Sequence, residues 1–166
     1  MFDQPSERLD RRHFLIGGAA LAGTLVVGWA LLPPRQRLDG STLPPMRHGD
    51  VKLNGWVMIG KDSRVIVVLA KSEMGQGVMT ALPTLVAEEL DVPLSTIRLV
   101  QAPLDKIYGD TTMMADGLPF HPEDQSAIHH LGRWLSRKIE RELGIQVTGG
   151  SSSVKDCWLP MREAGA

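Results

Sequence analysis

A short glycine-rich segment with the sequence EMGQG, residues 73–77, carries residue types that suit the binding of an anionic ligand. Gly75 and Gly77 lack a Cβ, so the backbone at these positions can approach a ligand closely. The side-chain amide of Gln76 can donate and accept hydrogen bonds at the same time. The periodicity that follows predicts a helix, whose first N–H groups favour an anion. We therefore predict that this segment, the GQG loop, binds a ligand at a helix N-terminus.

A second segment of this kind, residues 148–153, has the sequence TGGSSS and also precedes a predicted helix. It carries an excess of hydroxyl and N–H donors, which again suits an anion. Its candidate binding residues are Gly149, Gly150, Ser151, Ser152 and Ser153. Neither this GGSSS loop nor the GQG loop matches a P-loop or the GxGxxG spacing. Taken separately, each loop is open to the alternative that it only caps the helix that follows it.

The composition restricts where redox or metal chemistry can reside. The chain has 166 residues with 18 Lys plus Arg against 19 Asp plus Glu, so its charge gives no reason to expect a nucleic-acid partner. The single cysteine, Cys157, excludes an internal disulfide and cannot alone hold an iron–sulfur cluster or a structural zinc; we predict that it is buried. Glu73 is predicted to be an exposed or helix-capping carboxylate, and no side chains are predicted to ligate a metal. Redox chemistry therefore requires a bound cofactor or another subunit.

The N-terminus has the features of an export signal. Residues 15–32 contain no charged side chain and as a helix would be roughly 27 Å long, near the lower limit for crossing a bilayer core. Arg11 and Arg12 precede this stretch in a pattern that resembles a twin-arginine signal. The alternatives are an ordinary secretory signal and an uncleaved anchor. Residues 1–32 are accordingly predicted to be a twin-arginine signal or membrane anchor, with the rest of the chain in the periplasm.

The remaining residues predict an α+β fold, in which helices pack on a small mixed sheet. Residues 33–52 are rich in proline and arginine and predict a linker, so residues 53–166 form the predicted folded region. Ser153 and Asp156 have the spacing of a capping box that opens a last helix. From the periodicity of apolar residues we predict, in chain order, a β-hairpin at 56–59 and 64–69, a helix at 78–90, a strand at 97–100, a loop at 102–121 and an amphipathic helix at 122–143.

The two glycine loops lie in longer stretches that resemble a known family. These stretches read SEMGQGVMTALPTLVAEELDVP and TGGSSSVKDCWLPMREAGA. They resemble segments of the large, molybdopterin-binding subunit of the xanthine dehydrogenase and aldehyde oxidase family. Within that family the resemblance is to the exported branch, of the isoquinoline 1-oxidoreductase beta-subunit type. It extends from the twin-arginine signal through Gly55, Trp56 and the hairpin to Ala166.

The resemblance implies a molybdenum–molybdopterin cofactor. Gly75, Gln76 and Gly77 would contact its pyranopterin, and residues 149–153 would bind its pterin or phosphate portion. The family oxidises small heteroaromatic compounds or aldehydes at the molybdenum centre, and its electrons leave through a separate iron–sulfur subunit. The expected partners are therefore an iron–sulfur small subunit, a small heteroaromatic or aldehyde substrate, and the membrane if the N-terminal segment is not cleaved.

Members of this family are several times longer than the chain. The resemblance therefore implies an N-terminal portion of a large subunit, truncated or split, that holds part of the cofactor site and is inactive without the remainder of that subunit. The glutamate that acts as general base in the family has no counterpart here, so no catalytic residue is assigned. The alternative is a membrane-anchored, non-catalytic periplasmic protein whose glycine loops only cap helices.

Overall fold

The computed structural model describes residues 11–33, 36–42, 44–121 and 123–166. The chain divides into two compact units, Met1–Pro33 and Pro34–Ala166. The described part of the first unit contains helix α1, Arg11–Leu31, none of whose residues is buried. Its length and apolar composition would allow it to cross a membrane, a property that signal sequences share. The predicted apolar segment is therefore helical, and Arg11 and Arg12 form the start of its first turn.

The second unit has the α+β fold that the sequence predicts. Its strands and helices, in chain order, are β1 (Val51–Lys52), β2 (Val57–Ile59), β3 (Val65–Leu69), α2 (Val78–Glu89), β4 (Ile97–Gln101), α3 (Met113–Asp116), α4 (Ala127–Leu143) and α5 (Ser153–Gly165). Two short 3-10 turns, Leu94–Thr96 and Lys106–Tyr108, lie before and after β4.

The four strands form one mixed sheet in the order β1-β2-β3-β4. The strands β1, β2 and β3 run antiparallel, and Val57 pairs with Val67 in the β2–β3 hairpin. The strand β4 runs parallel to β3, with Val65 opposite Ile97. A parallel pair needs a crossover connection, which α2 supplies. The predicted hairpin and the predicted third strand are confirmed.

The core lies between the sheet and the two helices α2 and α5. All five residues of β3 are buried, as expected of a central strand covered on both faces. Leu82 and Val86 of α2 and Met161 of α5 are fully buried in the same core. Burying a side chain of this kind contributes about 1.5–3 kcal/mol to the free energy of unfolding. Cys157 is also fully buried, as predicted, and burial raises the pKa of its thiol to about 12.

The segment that the sequence predicts to be a linker, residues 33–52, contributes to the folded unit. Val51–Lys52 forms the edge strand β1. Arg37 donates hydrogen bonds to the carbonyl oxygens of Ile107 (3.0 Å) and Gly109 (2.9 Å). Composition alone misses these contacts because their partners lie about seventy residues further along the chain.

Two other predicted elements differ from the structure. The amphipathic helix begins at Ala127, later than predicted, because the Ser126 hydroxyl accepts a hydrogen bond from the His129 backbone N–H and forms the N-cap. Pro122, where we expected this helix to begin, lies outside the described residues. The predicted loop at 102–121 contains the short helix α3 and a 3-10 turn, which are too short to show a period.

Candidate cofactor site

The N-terminus of α2 is capped by a carboxylate from the GQG loop itself. Glu73 Oε1 accepts hydrogen bonds from the backbone N–H groups of Gly75 and Gly77, and its Oε2 accepts one from Met79, each at 2.9 Å. These bonds, above all those from Met79 and Gly77, lower the pKa of Glu73 below its usual value. The capping role predicted for Glu73 is confirmed. Two N–H groups at this helix end, those of Gly77 and Met79, are therefore bonded to the protein's own carboxylate.

The side chain of Gln76 is engaged within its own loop. Its Oε1 accepts a hydrogen bond from the Met74 backbone N–H (2.5 Å), and its Nε2 donates to the Ser72 carbonyl oxygen (2.8 Å). Gln76 both donates and accepts, as its chemistry allows, and in this arrangement it fixes the loop. Gly75 and Gly77 have φ of 94° and 78°, and a Cβ placed on either would meet nothing within 4 Å. The surface beside these two glycines is open to a ligand.

The GGSSS loop leaves its helix uncapped. A Cβ on Gly149 or Gly150 would meet nothing within 4 Å, so the space beside this loop is open too. Gly150 and Ser151 both adopt left-handed backbone conformations, and α5 begins directly afterwards with no side chain of the described residues accepting from its first N–H groups. The first turn of a helix has N–H groups without an intrahelical partner. The first N–H groups of α5 are therefore not bonded to a side chain of the described residues, whereas at the start of α2 Glu73 accepts from Gly77 and Met79.

The capping box predicted for Ser153 and Asp156 does not form. The Asp156 carboxylate is instead buried, and its Oδ1 accepts a hydrogen bond from Arg37 (2.9 Å) and another from the Thr111 hydroxyl (2.9 Å). The spacing of Ser153 and Asp156 fits a cap, but an arginine from a distant part of the chain binds the carboxylate more strongly than a backbone N–H would.

The structure brings the GQG loop and the GGSSS loop together. The Ser72 backbone N–H donates to Thr148 Oγ1 at 2.9 Å, and Lys71 Nζ donates to the Val147 carbonyl oxygen at 3.1 Å. At the other end of the two helices, Arg162 of α5 forms an ion pair with Glu89 of α2. The helices α2 and α5 therefore run side by side in the same direction. Their N-termini, and the two glycine loops before them, lie at one end of the fold.

A buried cluster of charges supports this end of the molecule. Lys71 Nζ lies 2.6 Å from Asp110 Oδ2 and 3.1 Å from Asp156 Oδ2, and all three side chains are almost completely buried. Asp156 also pairs with Arg37. Ser152 of the GGSSS loop donates its hydroxyl to Asp110 Oδ2 at 2.5 Å. The cluster holds two cations and two anions, which satisfies the requirement that buried charges be paired.

The charges of this cluster stabilise one another. Burial alone would raise the pKa of Asp110, but the hydrogen bonds from Lys71 and Ser152 outweigh it and hold that pKa at about 2. Burial would likewise lower the pKa of Lys71, but Asp156 and Asp110 together raise it above its ordinary value. Both groups are therefore charged at neutral pH. Sequence reasoning missed Lys71, although a lysine two residues after the buried apolar strand β3 is a signal for a buried cation.

Among the described residues, no group of three or more His, Cys, Asp or Glu side chains lies close enough together to hold a metal ion. The polar groups that converge at the site are instead backbone donors, hydroxyls and one carboxylate. The backbone donors and hydroxyls among them have the chemistry to bind an anionic oxygen.

Comparison with known proteins shows which family the chain belongs to and which cofactor that family implies. The chain belongs to the molybdopterin cofactor-binding domain family, whose model matches residues 19–116. The cofactor that this family implies is molybdenum–molybdopterin, as the sequence predicts. The matched residues contain the GQG loop and end before the GGSSS loop.

Two curated relatives extend this comparison. Isoquinoline 1-oxidoreductase subunit beta of Brevundimonas diminuta is 36% identical over 104 residues, which cover 62% of this chain and 13% of that protein. A membrane-bound aldehyde dehydrogenase (pyrroloquinoline-quinone) of Gluconacetobacter polyoxogenes is 27% identical over 165 residues, covering 95% of this chain and 16% of that protein. The predicted relationship to the large subunits of molybdenum hydroxylases is confirmed. The chain spans less than a fifth of the length of either relative. No solved structure matches it.

The residues of both loops leave room for a phosphorylated pterin, but the two loops differ in the N–H donors that they offer to its phosphate. Open glycines at Gly75, Gly77, Gly149 and Gly150 allow a flat ring to approach either loop. At the start of α2, Glu73 accepts hydrogen bonds from the N–H groups of Gly77 and Met79, whereas no side chain of the described residues accepts from the first N–H groups of α5, which are therefore open to a phosphate.

Proposed function

We propose that this chain supplies one part of the molybdopterin site of an exported molybdenum hydroxylase large subunit. The observation that carries the proposal is the hydrogen bond between Ser72 and Thr148, which holds the two glycine loops together at the common end of α2 and α5. A phosphorylated pterin needs a flat open surface and a nearby anion site. The paired loops offer both.

In this proposal the GGSSS loop binds the phosphate. The backbone N–H groups of Ser153 and Val154 open α5 and lack a capping side chain, so the positive end of the helix dipole remains available to an anion. Gly149 and Gly150 leave room for the phosphate oxygens. The exposed hydroxyl of Ser151 and the partly exposed one of Ser153 add donors at the rim, while Ser152 faces inward to Asp110.

The GQG loop then forms a wall against the pterin ring. Gly75 and Gly77 present backbone without a Cβ, and Gln76 keeps that backbone in position through its two hydrogen bonds within the loop. The Glu73 carboxylate would repel a second anion from the start of α2. This repulsion gives the ligand one orientation, with its phosphate at α5.

The buried charge cluster positions both loops. Lys71 precedes the GQG loop and also binds Val147, which precedes the GGSSS loop. Asp110 fixes Ser152 within the GGSSS loop. A shift of either loop would break a buried charge-assisted hydrogen bond, so the cluster keeps the site in one arrangement without the ligand.

When bound, the cofactor supplies the redox chemistry, oxidation of a small heteroaromatic compound or an aldehyde, which is the chemistry that the names of the two relatives indicate. The described residues of this chain bind and orient the cofactor, and none of them is assigned a catalytic role. We propose that an iron–sulfur small subunit accepts the electrons and that further parts of a large subunit complete the pocket. The chain by itself is expected to be inactive.

The N-terminal segment is consistent with the exported location in this proposal. Arg11 and Arg12 open the apolar helix α1, which is the arrangement of a twin-arginine signal. This route carries folded proteins, so a protein that acquires its cofactor in the cytoplasm can use it. We propose that the folded unit resides in the periplasm, held to the inner membrane by α1 if that helix is not removed.

One observation favours the alternative, a non-catalytic anchored protein whose glycine loops only cap helices. The GQG loop does cap α2, through Glu73. The GGSSS loop favours cofactor binding over helix capping alone, because its helix α5 has no such cap. A protein that needed both loops only as caps would gain nothing from leaving α5 uncapped.

Equilibrium binding of a fluorescent pterin phosphate, 6-hydroxymethylpterin phosphate, tests the proposal. Gly149 has open space beside it and no left-handed conformation, so Gly149→Ala should fold normally while placing a methyl group in the binding surface. Gly117→Ala, in the turn that ends α3, is the matched control, since it also adds a methyl group without a clash or a left-handed conformation. We expect Gly149→Ala to weaken binding about tenfold, the effect of losing one or two polar contacts, and Gly117→Ala to leave binding unchanged. Equal binding by both variants, or no binding by the unmodified chain, would refute the proposed site.

A further inference from the structure

A carboxylate lies within the first turn of α5, next to the proposed phosphate site. Asp156 follows Ser153, the first residue of the helix, by three positions, which is about 4.5 Å along the helix axis. Its backbone N–H donates to the Ser152 carbonyl oxygen (2.7 Å), so Asp156 is connected directly to the GGSSS loop. A negative charge this close to a phosphate repels it, and a poorly hydrated environment strengthens the repulsion. The start of α5 can therefore attract an anion only if the charge of Asp156 is balanced.

Arg37 is placed to balance this charge. Its Nη1 and Nη2 donate to Asp156 Oδ1 (2.9 Å) and Oδ2 (3.2 Å), which is the bidentate geometry of a guanidinium and a carboxylate. Nη1 also donates to the backbone carbonyl oxygen of Asp156 at 3.0 Å. The side chain of Asp156 is fully buried and that of Arg37 is 11% exposed, so solvent ions screen the pair weakly. Arg37 therefore holds both the charge and the backbone of the first turn of α5.

Other parts of the fold fix the position of Arg37. Its Nε and Nη2 donate to the carbonyl oxygens of Ile107 and Gly109, and its guanidinium carbon lies 5.6 Å from the centre of the Trp56 ring. The indole N–H of Trp56 donates in turn to the Arg37 carbonyl oxygen at 2.5 Å. A planar guanidinium held at this many points is preorganised. It therefore keeps Asp156 in one place without the ligand.

Lys71 does not make Arg37 redundant. Its Nζ lies 3.1 Å from Asp156 Oδ2, but it lies closer, at 2.6 Å, to Asp110 Oδ2. One lysine is therefore shared between two carboxylates. Without Arg37, these three groups would carry a net charge of −1 beside the start of α5.

We propose that Arg37 is a positioning residue for the phosphate of the ligand. It acts through Asp156, whose charge it balances and whose backbone it holds, so that the N–H groups at the start of α5 attract an anion. This inference rests on the proposed function of the GGSSS loop. It also gives the segment before the sheet, which composition predicts to be a linker, a part in the affinity of the site.

Two ligands that differ only in their phosphate test this inference. The full chain in detergent micelles is titrated with 6-hydroxymethylpterin phosphate and, separately, with 6-hydroxymethylpterin, which has the same ring. Arg37→Gln removes the cation, and the double variant Arg37→Gln with Asp156→Asn removes both members of the pair. Arg64→Gln, at an exposed arginine between β2 and β3, is the matched control.

We expect Arg37→Gln to weaken the binding of the pterin phosphate about tenfold and to leave the binding of 6-hydroxymethylpterin unchanged, because the unbalanced carboxylate repels only the phosphate. The double variant should recover most of the lost affinity, since it no longer carries that carboxylate. Asp156→Asn alone keeps Arg37 and should bind the pterin phosphate more tightly than the unmodified chain does. This single variant tests the inference if Arg37→Gln does not fold. Arg64→Gln should bind both ligands as the unmodified chain does.

Two results would overturn the inference and leave the proposed function standing. The first is an equal loss of affinity for both ligands in Arg37→Gln with no recovery in the double variant, which would show that Arg37 only supports the fold. The second is unchanged binding of the pterin phosphate by Arg37→Gln or by Asp156→Asn. A failure of the unmodified chain to bind the pterin phosphate would instead overturn the proposed function, and the role of Arg37 with it.

Discussion

The backbone N–H of Ser72 and the hydroxyl of Thr148 are joined by a hydrogen bond of 2.9 Å, although the two residues are 76 positions apart. This bond connects the residue before the GQG loop with the first residue of the GGSSS loop. Lys71 also holds the two loops together, because it bonds to Val147 and to two buried aspartates. Two loops that are separate in the sequence are thereby parts of one surface.

Lys71 is expected to be essential for stability. In Lys71→Met, Asp110 and Asp156 lose a buried cation that lies within 3.1 Å of both. Breaking a buried ion pair from one side typically costs about 3–5 kcal/mol, so the free energy of unfolding measured in urea should fall by that amount. Lys61→Met, at an exposed turn lysine, is the matched control and should change it little. A loss as small as that of the control would show that the cluster does not support the fold.

Asp110 should make stability depend on pH in the acid range. Its pKa is lowered from 3.8 to about 2, so its contribution is complete above pH 4 and is lost as the pH falls toward 2. A shift of this size corresponds to about 2 kcal/mol. Asp110→Asn should therefore be less stable than the unmodified chain at neutral pH, and the difference should shrink between pH 4 and pH 2. A difference that does not change with pH would contradict the charged state assigned to Asp110.

The exposed residue Asp91 provides the control for that measurement. Asn adopts the left-handed conformation found at this position as readily as Asp does, so Asp91→Asn changes charge without adding strain. The free energy of unfolding of this variant should differ little from that of the unmodified chain at neutral pH.

Glu73 should stabilise α2 only while its carboxylate is charged. Its pKa is lowered below 4.5 by the hydrogen bonds from Met79 and Gly77, so its contribution is complete above pH 4.5 and disappears as the pH falls below that value. Glu73→Ala should have a lower Tm than the unmodified chain at neutral pH, with the two values converging in acid. Glu88→Ala, at an exposed glutamate near the other end of α2, is the matched control and should change the Tm little at neutral pH. Parallel Tm curves for Glu73→Ala and the unmodified chain would exclude the cap.

Export should require both arginines at the start of α1. Lysine keeps the charge but not the recognised pair, so Arg11→Lys combined with Arg12→Lys should leave the protein in the cytoplasm, as measured by cell fractionation. Arg8→Lys, which preserves the pair, should be exported normally. Normal export of the double variant would rule out the twin-arginine route.

The sequence alone was sufficient to predict the position of elements in which the apolar residues recur at a strand or helix period. The hairpin, β4 and α2 lie where the spacing of apolar residues predicts them, because each buries a face against its neighbours along the chain. Glu73 could also be predicted as a cap, since its partners Gly75, Gly77 and Met79 lie within six residues.

Contacts between distant residues could not be predicted in this way. The capping box at Ser153 and Asp156 is locally reasonable, but Arg37, 119 residues away, binds the aspartate instead. The helix α4 gives a second example. Its periodicity shows that one face is apolar but not that the polar face is the one that packs, a choice made by the contacts of Glu140 and Arg141.

We propose above all that the anionic end of the cofactor binds at α5 and not at α2. Backbone amide chemical shifts of the ¹⁵N-labelled full chain in detergent micelles, titrated with 6-hydroxymethylpterin phosphate, test it most directly. We predict that the amides of Ser153 and Val154 move with the ligand concentration, and that those of Gly77 and Met79, already bonded to Glu73, keep their hydrogen bonds and shift little. Larger shifts at Gly77 and Met79 than at Ser153 and Val154, or no shift in either loop, would contradict the account.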